Sequence, residues 1–166
     1  AGQETEVTRE ELANRARAMI PMLRDRAPEA EKNRRLPDIT HKNFIEAGFY
    51  RMFQPRRYGG YEMDWGCILD VAAELGRGCG SSCWVFTNLT GQSWINGMKS
   101  EQAQDDVWQD NPDAVIASSF PGEGASVEVV DGGWVADGMW GFSSGIDFAD
   151  WSNVQLFVPQ KNGPPQ

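Results

Sequence analysis

DGGWVADGMWGFSSGIDFADW, residues 131–151, decides the fold class. Asp131-Gly132-Gly133 reads as a hairpin turn, because glycine supplies the backbone conformations that tight strand connections need. WVADGMWGF (134–142) is rich in the aromatic and β-branched residues that fit a pleated surface. VIASSF (115–120), SVEVV (126–130) and VQLFVPQ (154–160) read the same way, so the chain after Pro112 is expected to form an antiparallel sheet. Ser143-Ser144-Gly145, in the middle of the stretch, admits two readings. One is a strand that ends in an ordinary serine and glycine turn. The other is a strand end whose hydroxyls and backbone groups face a planar ligand.

Before Pro112 the period changes to that of helices. Leu12, Ala16, Met19 and Leu23 recur at helical spacing between Thr8 and about Arg35, with Thr8 and Glu11 placed as a capping box. Pro21 falls inside this helix and should kink it. Pro37 and Asp38 start a second helix that ends near Gly48, and PRRYGG (55–60) is a loop. Asp64 can cap a third helix, whose stripe is Ile68, Val71, Ala72 and Leu75 and which Gly76 to Gly80 closes. SSCWVFTNLTGQSWINGM (81–98) is a fourth helix without a charge until Lys99, and apolar residues lie on every side of it. Such a helix is expected to be buried, with its polar groups paired or facing a ligand. SEQAQDDVWQD (100–110) is a short surface helix.

The architecture is therefore α+β, with a helical domain over 1–111 and the first strands of a β domain over 112–166. The last strand is followed by an Asn162-Gly163 turn with no return strand after it. A β-unit of three or four unclosed strands has unpaired edges, which suggests a fragment of something longer.

Composition narrows the function classes. The chain has 166 residues, 40% of them hydrophobic, enough for one domain with a core. No apolar run spans a bilayer and no signal-like segment opens the chain, so a soluble, cytoplasmic protein without a membrane partner is expected. The net charge of −9 is uneven: beyond Tyr58 there are 3 basic and 15 acidic residues. Nucleic acid, which needs clustered positive charge, is thus an unsuitable partner. Cys67, Cys79 and Cys83 lack zinc-ligand spacing and read as buried thiols, and no metal site is expected. His41 reads as a helix-surface residue. It is the single histidine of the chain, and with it on a helix surface no His-dependent triad is expected within this chain.

GFYRMFQPRRYGG, ELGRGCGSSCWV, VIASSFPGEG and the opening stretch, in that order, resemble the acyl-CoA dehydrogenase superfamily. The resemblance is closest to its flavin-dependent monooxygenase branch, the oxygenase components of two-component aromatic hydroxylases. It implies a helical N-terminal domain, the start of an antiparallel β-barrel-like middle domain, and a C-terminal helical bundle that is missing here. It further implies reduced FMN or FAD as cofactor, O2 as co-substrate through a C4a-hydroperoxide, a small aromatic substrate, a separate flavin reductase and a homotetramer.

Carried over residue by residue, the flavin contacts fall on Ser118, Ser119 and Phe120 of one strand, on Phe142, Ser143 and Ser144 of the next, and on Trp84. The hydroxyls suit the hydrogen-bonding edge of the ring system and the aromatics its apolar edge. Ser143 would reach flavin N5 and is the first catalytic candidate. Gln92 is the second: it stands where phenol-hydroxylating members often have a histidine, and a neutral amide cannot take a phenolic proton. Trp84, Asn88 and Gln92 share a helix face and are the substrate-lining candidates, although Gln92 can equally be a core amide. Two other functions stay open: an acyl-CoA dehydrogenase proper, against which SFPG and FSSG argue, and a non-catalytic interaction module.

Overall fold

The computed structural model describes residues 7–122 and 124–158. Six α-helices come first: α1 (Arg9–Ala18), α2 (Ile20–Asn33), α3 (Asp38–Glu46), α4 (Cys67–Gly78), α5 (Gly80–Gly97) and α6 (Glu101–Trp108). Five strands follow: β1 (Ile116–Pro121), β2 (Ser126–Val130), β3 (Gly133–Asp137), β4 (Trp140–Gly141) and β5 (Trp151–Val154). The Thr8 hydroxyl accepts from the Glu11 amide at 3.1 Å and starts α1. The long first helix is two. It breaks at Met19, and Pro21 lies in the first turn of α2, where a missing N–H costs little.

The core forms where the apolar stripes meet. Leu12 and Ala16 of α1, Leu23 of α2 and Val71 and Leu75 of α4 are buried against Phe86 and Leu89 of α5. Phe44, Phe49 and Phe86 make tilted and edge-on contacts at 5.6–6.3 Å between centroids. All three rings are fully buried, each worth about 1.5–3 kcal/mol against exposure. α5 packs on both α4 and β1.

Several sequence expectations need correction. α5 is not buried on every side: Trp84, Trp94 and Ile95 are at least 40% exposed, while Phe86, Leu89, Thr90, Ser93 and Asn96 face inward. Its apolar surplus exceeds what α4 and β1 can cover. Asp64 does not cap α4 with its side chain; its carboxylate closes the preceding turn by accepting from the Gly66 amide at 2.8 Å. Cys79 provides the cap of α5, its sulfur accepting from the Ser82 amide. His41 is no surface residue but half-buried, stacked on Phe148 at 4.4 Å and 14°. Cys67 and Cys79 are buried thiols as expected, and Cys83 is partly so.

The sheet is mixed rather than antiparallel. β1 pairs antiparallel with β4 but parallel with β5, in the order β4-β1-β5. A long-range contact ties the two strand starts: the Asp150 carboxylate accepts from the Val115 amide at 2.9 Å and the Asp150 amide donates to the Val115 carbonyl. That clamp sets the start of β5 beside the start of β1, and the two strands leave in the same direction. β2 and β3 form a separate hairpin with Val130 opposite Gly133, turning at Asp131-Gly132, where Gly132 has φ +79°. WVADGMWGF divides at Gly138 into β3 and β4, which belong to different sheets. No closed barrel exists among the described residues. Gln155 to Val158 continue without regular structure. The Asn162-Gly163 turn lies outside the described residues, as does the end of the expected VQLFVPQ strand.

Candidate functional site

Residues 142–148 fold back onto α5. Phe142 has φ +55° and a fully exposed ring, which turns the chain sharply after β4. Gly145 follows at φ +85°, and a Cβ there would come within 2.9 Å of the Leu89 side chain. Only glycine allows the segment to sit this close to the helix. A 3-10 turn, Ile146–Phe148, then leads to the Asp150 clamp.

This fold-back joins two candidates that are 60 residues apart: the Trp84 indole nitrogen donates to the Ser144 hydroxyl at 2.9 Å. Next to it, the Ser143 hydroxyl is inaccessible to solvent and has no hydrogen-bond partner among the described residues. A buried hydroxyl without a partner costs about 1–3 kcal/mol, so the position calls for a partner that the described residues do not supply. Both serines and Trp84 line a cavity of about 610 Å³, with Arg34, Arg35 and Phe148 in its wall. That volume suits a fused-ring ligand.

The wall is braced from behind. The Arg35 guanidinium lies 4.9 Å over the Phe148 ring and pairs with Asp38 at 2.7 Å. His41 stacks on Phe148 and meets the Tyr50 hydroxyl at 3.1 Å through Nδ1. Burial lowers the His41 pKa below its ordinary 6.5, against the pull of Asp150 and Asp38, so the ring is neutral at pH 7. Burial also pushes the Tyr50 hydroxyl far up, which keeps it a hydroxyl.

The remaining candidates lie elsewhere. Asn88 donates to the Trp84 carbonyl at 2.8 Å. The Gln92 carbonyl oxygen accepts from the Asn153 amide at 3.2 Å, and Asn153 stands level with Ser118 in the parallel pair β1–β5. Ser118 is half-buried, Ser119 is buried, and Phe120 is 70% exposed. Ser118, Ser119, Phe120, Asn88 and Gln92 do not line the 610 Å³ cavity. The structure thus forms one group from Trp84, Ser143 and Ser144, and a second from Gln92, Asn153 and Ser118. The sequence reading missed Asn153, Phe148 and Arg35. Phe148 stands five residues past Ser143 and could have been suspected; nothing local marks Asn153.

Residues 3–107 match the family model for the acyl-CoA dehydrogenase N-terminal domain. The flavin-dependent monooxygenase oxygenase subunit HsaA of Rhodococcus jostii is 41% identical over 135 residues, covering 81% of this chain and 35% of its own. The oxygenase component of p-hydroxyphenylacetate 3-hydroxylase from Acinetobacter baumannii is 35% identical over 152 residues, 92% of this chain and 36% of its own. Among solved structures, XiaF from Streptomyces sp. in complex with FADH2 and glycerol superposes with a TM-score of 0.83 at 30% identity, covering 95% of this chain and 40% of that one. The chain spans about a third of the length of the relatives it matches.

Proposed function

Since the chain belongs to the acyl-CoA dehydrogenase family through its N-terminal domain, we propose that the complete protein is the oxygenase component of a two-component flavin-dependent monooxygenase. It takes reduced FMN or FAD from a separate reductase, uses O2, and hydroxylates a small aromatic compound. The names of the two relatives support this reading, and so does the FADH2 in XiaF. A homotetramer in the cytoplasm, with residues 1–111 as the helical domain and 112–166 opening the β domain, belongs to the same proposal.

The observation that carries it is the unpartnered, solvent-inaccessible hydroxyl of Ser143 beside the Trp84–Ser144 pair. A reduced flavin offers an N–H and a row of acceptors along one edge, which fits a hydroxyl that lacks a partner. Bound there, the flavin would supply the activation of oxygen, and this chain would supply the surroundings. Ser143 would hold a proton position at N5 and Ser144 would serve the polar edge, whereas Ser118 and Ser119 lie outside this cavity. Trp84 would cover the apolar edge and help exclude water, whereas Phe120 and the fully exposed Phe142 lie outside this cavity. Asn88 and Gln92 orient the substrate. No carboxylate of this chain is needed for the chemistry.

The test is to supply the complete protein with reduced flavin, oxygen and a phenol such as p-hydroxyphenylacetate, and to measure hydroxylated product against hydrogen peroxide. Submicromolar binding of reduced flavin with product formation is expected. Failure to bind reduced flavin would remove the proposal.

A further inference from the structure

We propose that Lys99 and Asn153 are positioning residues that hold Gln92 as a hydrogen-bond donor, so that this end of the site selects a substrate oxygen without a proton, above all a phenolate. The inference rests on the reading of Gln92 as a substrate residue and adds the chemistry of what it recognises.

Hydrogen-bond polarity fixes the orientation of both amides. An ammonium donates and cannot accept. Lys99 Nζ lies 2.7 Å from Asn153 Oδ1, so the amide of Asn153 is turned with its carbonyl toward the cation. Its Nδ2 therefore faces the other way and donates to Gln92 Oε1 at 3.2 Å. The orientation of an amide is usually ambiguous by shape alone, but here the cation fixes it and passes the choice on. With its carbonyl occupied, Gln92 has its two amide hydrogens left for a ligand.

Asn88, one turn earlier on the same face, is set the opposite way. Its Nδ2 is bound to the Trp84 carbonyl, which leaves Oδ1 as the acceptor. The face of α5 thus offers a donor at Gln92 and an acceptor at Asn88, in a fixed order. A phenol bound with its oxygen against the Gln92 amide, and turned away from Asn88, meets donors at that residue, and that stabilises the phenolate. Gln92 takes no proton; it favours the form that has already lost one, the form that is more reactive toward an electrophilic oxygen. Lys99 is exposed, so water screens its charge, whereas Asn153 is half-buried and is the stronger determinant.

The probe is 4-nitrophenol, whose ionised form absorbs in the visible, titrated against pH on the complete protein without flavin. Bound probe is expected to ionise at lower pH than free probe, with a phenolate preference of about ten- to a hundredfold, the usual range for a hydrogen bond to a charged group. Asn153→Asp puts an acceptor where the donor stood, turns Gln92 over, and should abolish or reverse the preference. Lys99→Met should weaken it, and Lys99→Arg, which keeps a cationic donor, should restore it. Far-ultraviolet circular dichroism checks that each variant folds, and Lys99, being exposed, keeps the test open if Asn153→Asp does not. Ionisation of the bound probe at the pH of the free one, absence of binding, or an unchanged preference in both Asn153→Asp and Lys99→Met would overturn the proposal. Because the titration needs no flavin, a protein that hydroxylates without this preference refutes the Gln92 inference alone, and one that shows the preference without hydroxylating refutes the oxygenase reading alone.

Discussion

The Trp84 indole nitrogen and the Ser144 hydroxyl meet at 2.9 Å and join the start of α5 to the segment that follows β4. Both belong to the same cavity wall, yet Trp84 is 63% exposed. A bond so open to water should add little to stability, about 0.5–1 kcal/mol, and more to order. Trp84→Phe and Ser144→Ala should each lower the melting temperature by no more than about 4 °C. A double-mutant cycle on reduced-flavin affinity should show coupling, and strictly additive effects would mean that the pair does not shape the site.

Gly145 is the residue that lets the serines approach α5. Gly145→Ala meets a positive φ and the Leu89 side chain together, and should cost about 1–3 kcal/mol by chemical denaturation. Flavin affinity should fall further than stability does, since the displaced atoms are those of Ser143 and Ser144. Wild-type affinity in a destabilised variant would show that the fold-back is not what positions them.

His41 gives the wall a pH dependence with a definite sign. Its folded pKa lies below 6.5, so between the two values the unfolded chain binds a proton that the folded one does not. Stability is therefore unaffected by His41 well above pH 6.5 and declines as pH falls through 6.5 toward the folded pKa, by at most about 1.4 kcal/mol per pH unit. His41→Gln should flatten that part of the profile in thermal melts at pH 5 to 8. A slope unchanged by the substitution would assign the effect to other groups.

Much of this was legible in the sequence, for identifiable reasons. The Thr8 cap, the stripe of α4 and the Asp131-Gly132 turn are local patterns, and local physics settles them. The parallel pairing of β1 with β5 was not legible, because it depends on the Asp150 clamp to Val115, a contact between segments 35 residues apart. Nor was the half-buried state of His41: a histidine on a helix reads as exposed until Phe148 is seen to return against it. Motif order placed Trp84 and Ser144 in one site, but the division of the candidates into two groups needed the register that puts Asn153 beside Ser118.

The proposed oxygenase depends on Ser143, whose hydroxyl lacks a partner among the described residues, meeting a reduced flavin. The direct measurement is the share of reduced-flavin oxidation that ends as hydrogen peroxide instead of hydroxylated product, compared between the complete wild-type protein and Ser143→Ala. One hydrogen bond to a polarised group is worth about 1–3 kcal/mol, so the ratio of peroxide to product should rise by roughly one to two decades in Ser143→Ala, with the melting temperature unchanged or raised. An unchanged ratio would return Ser143-Ser144-Gly145 to the status of an ordinary turn and contradict the account.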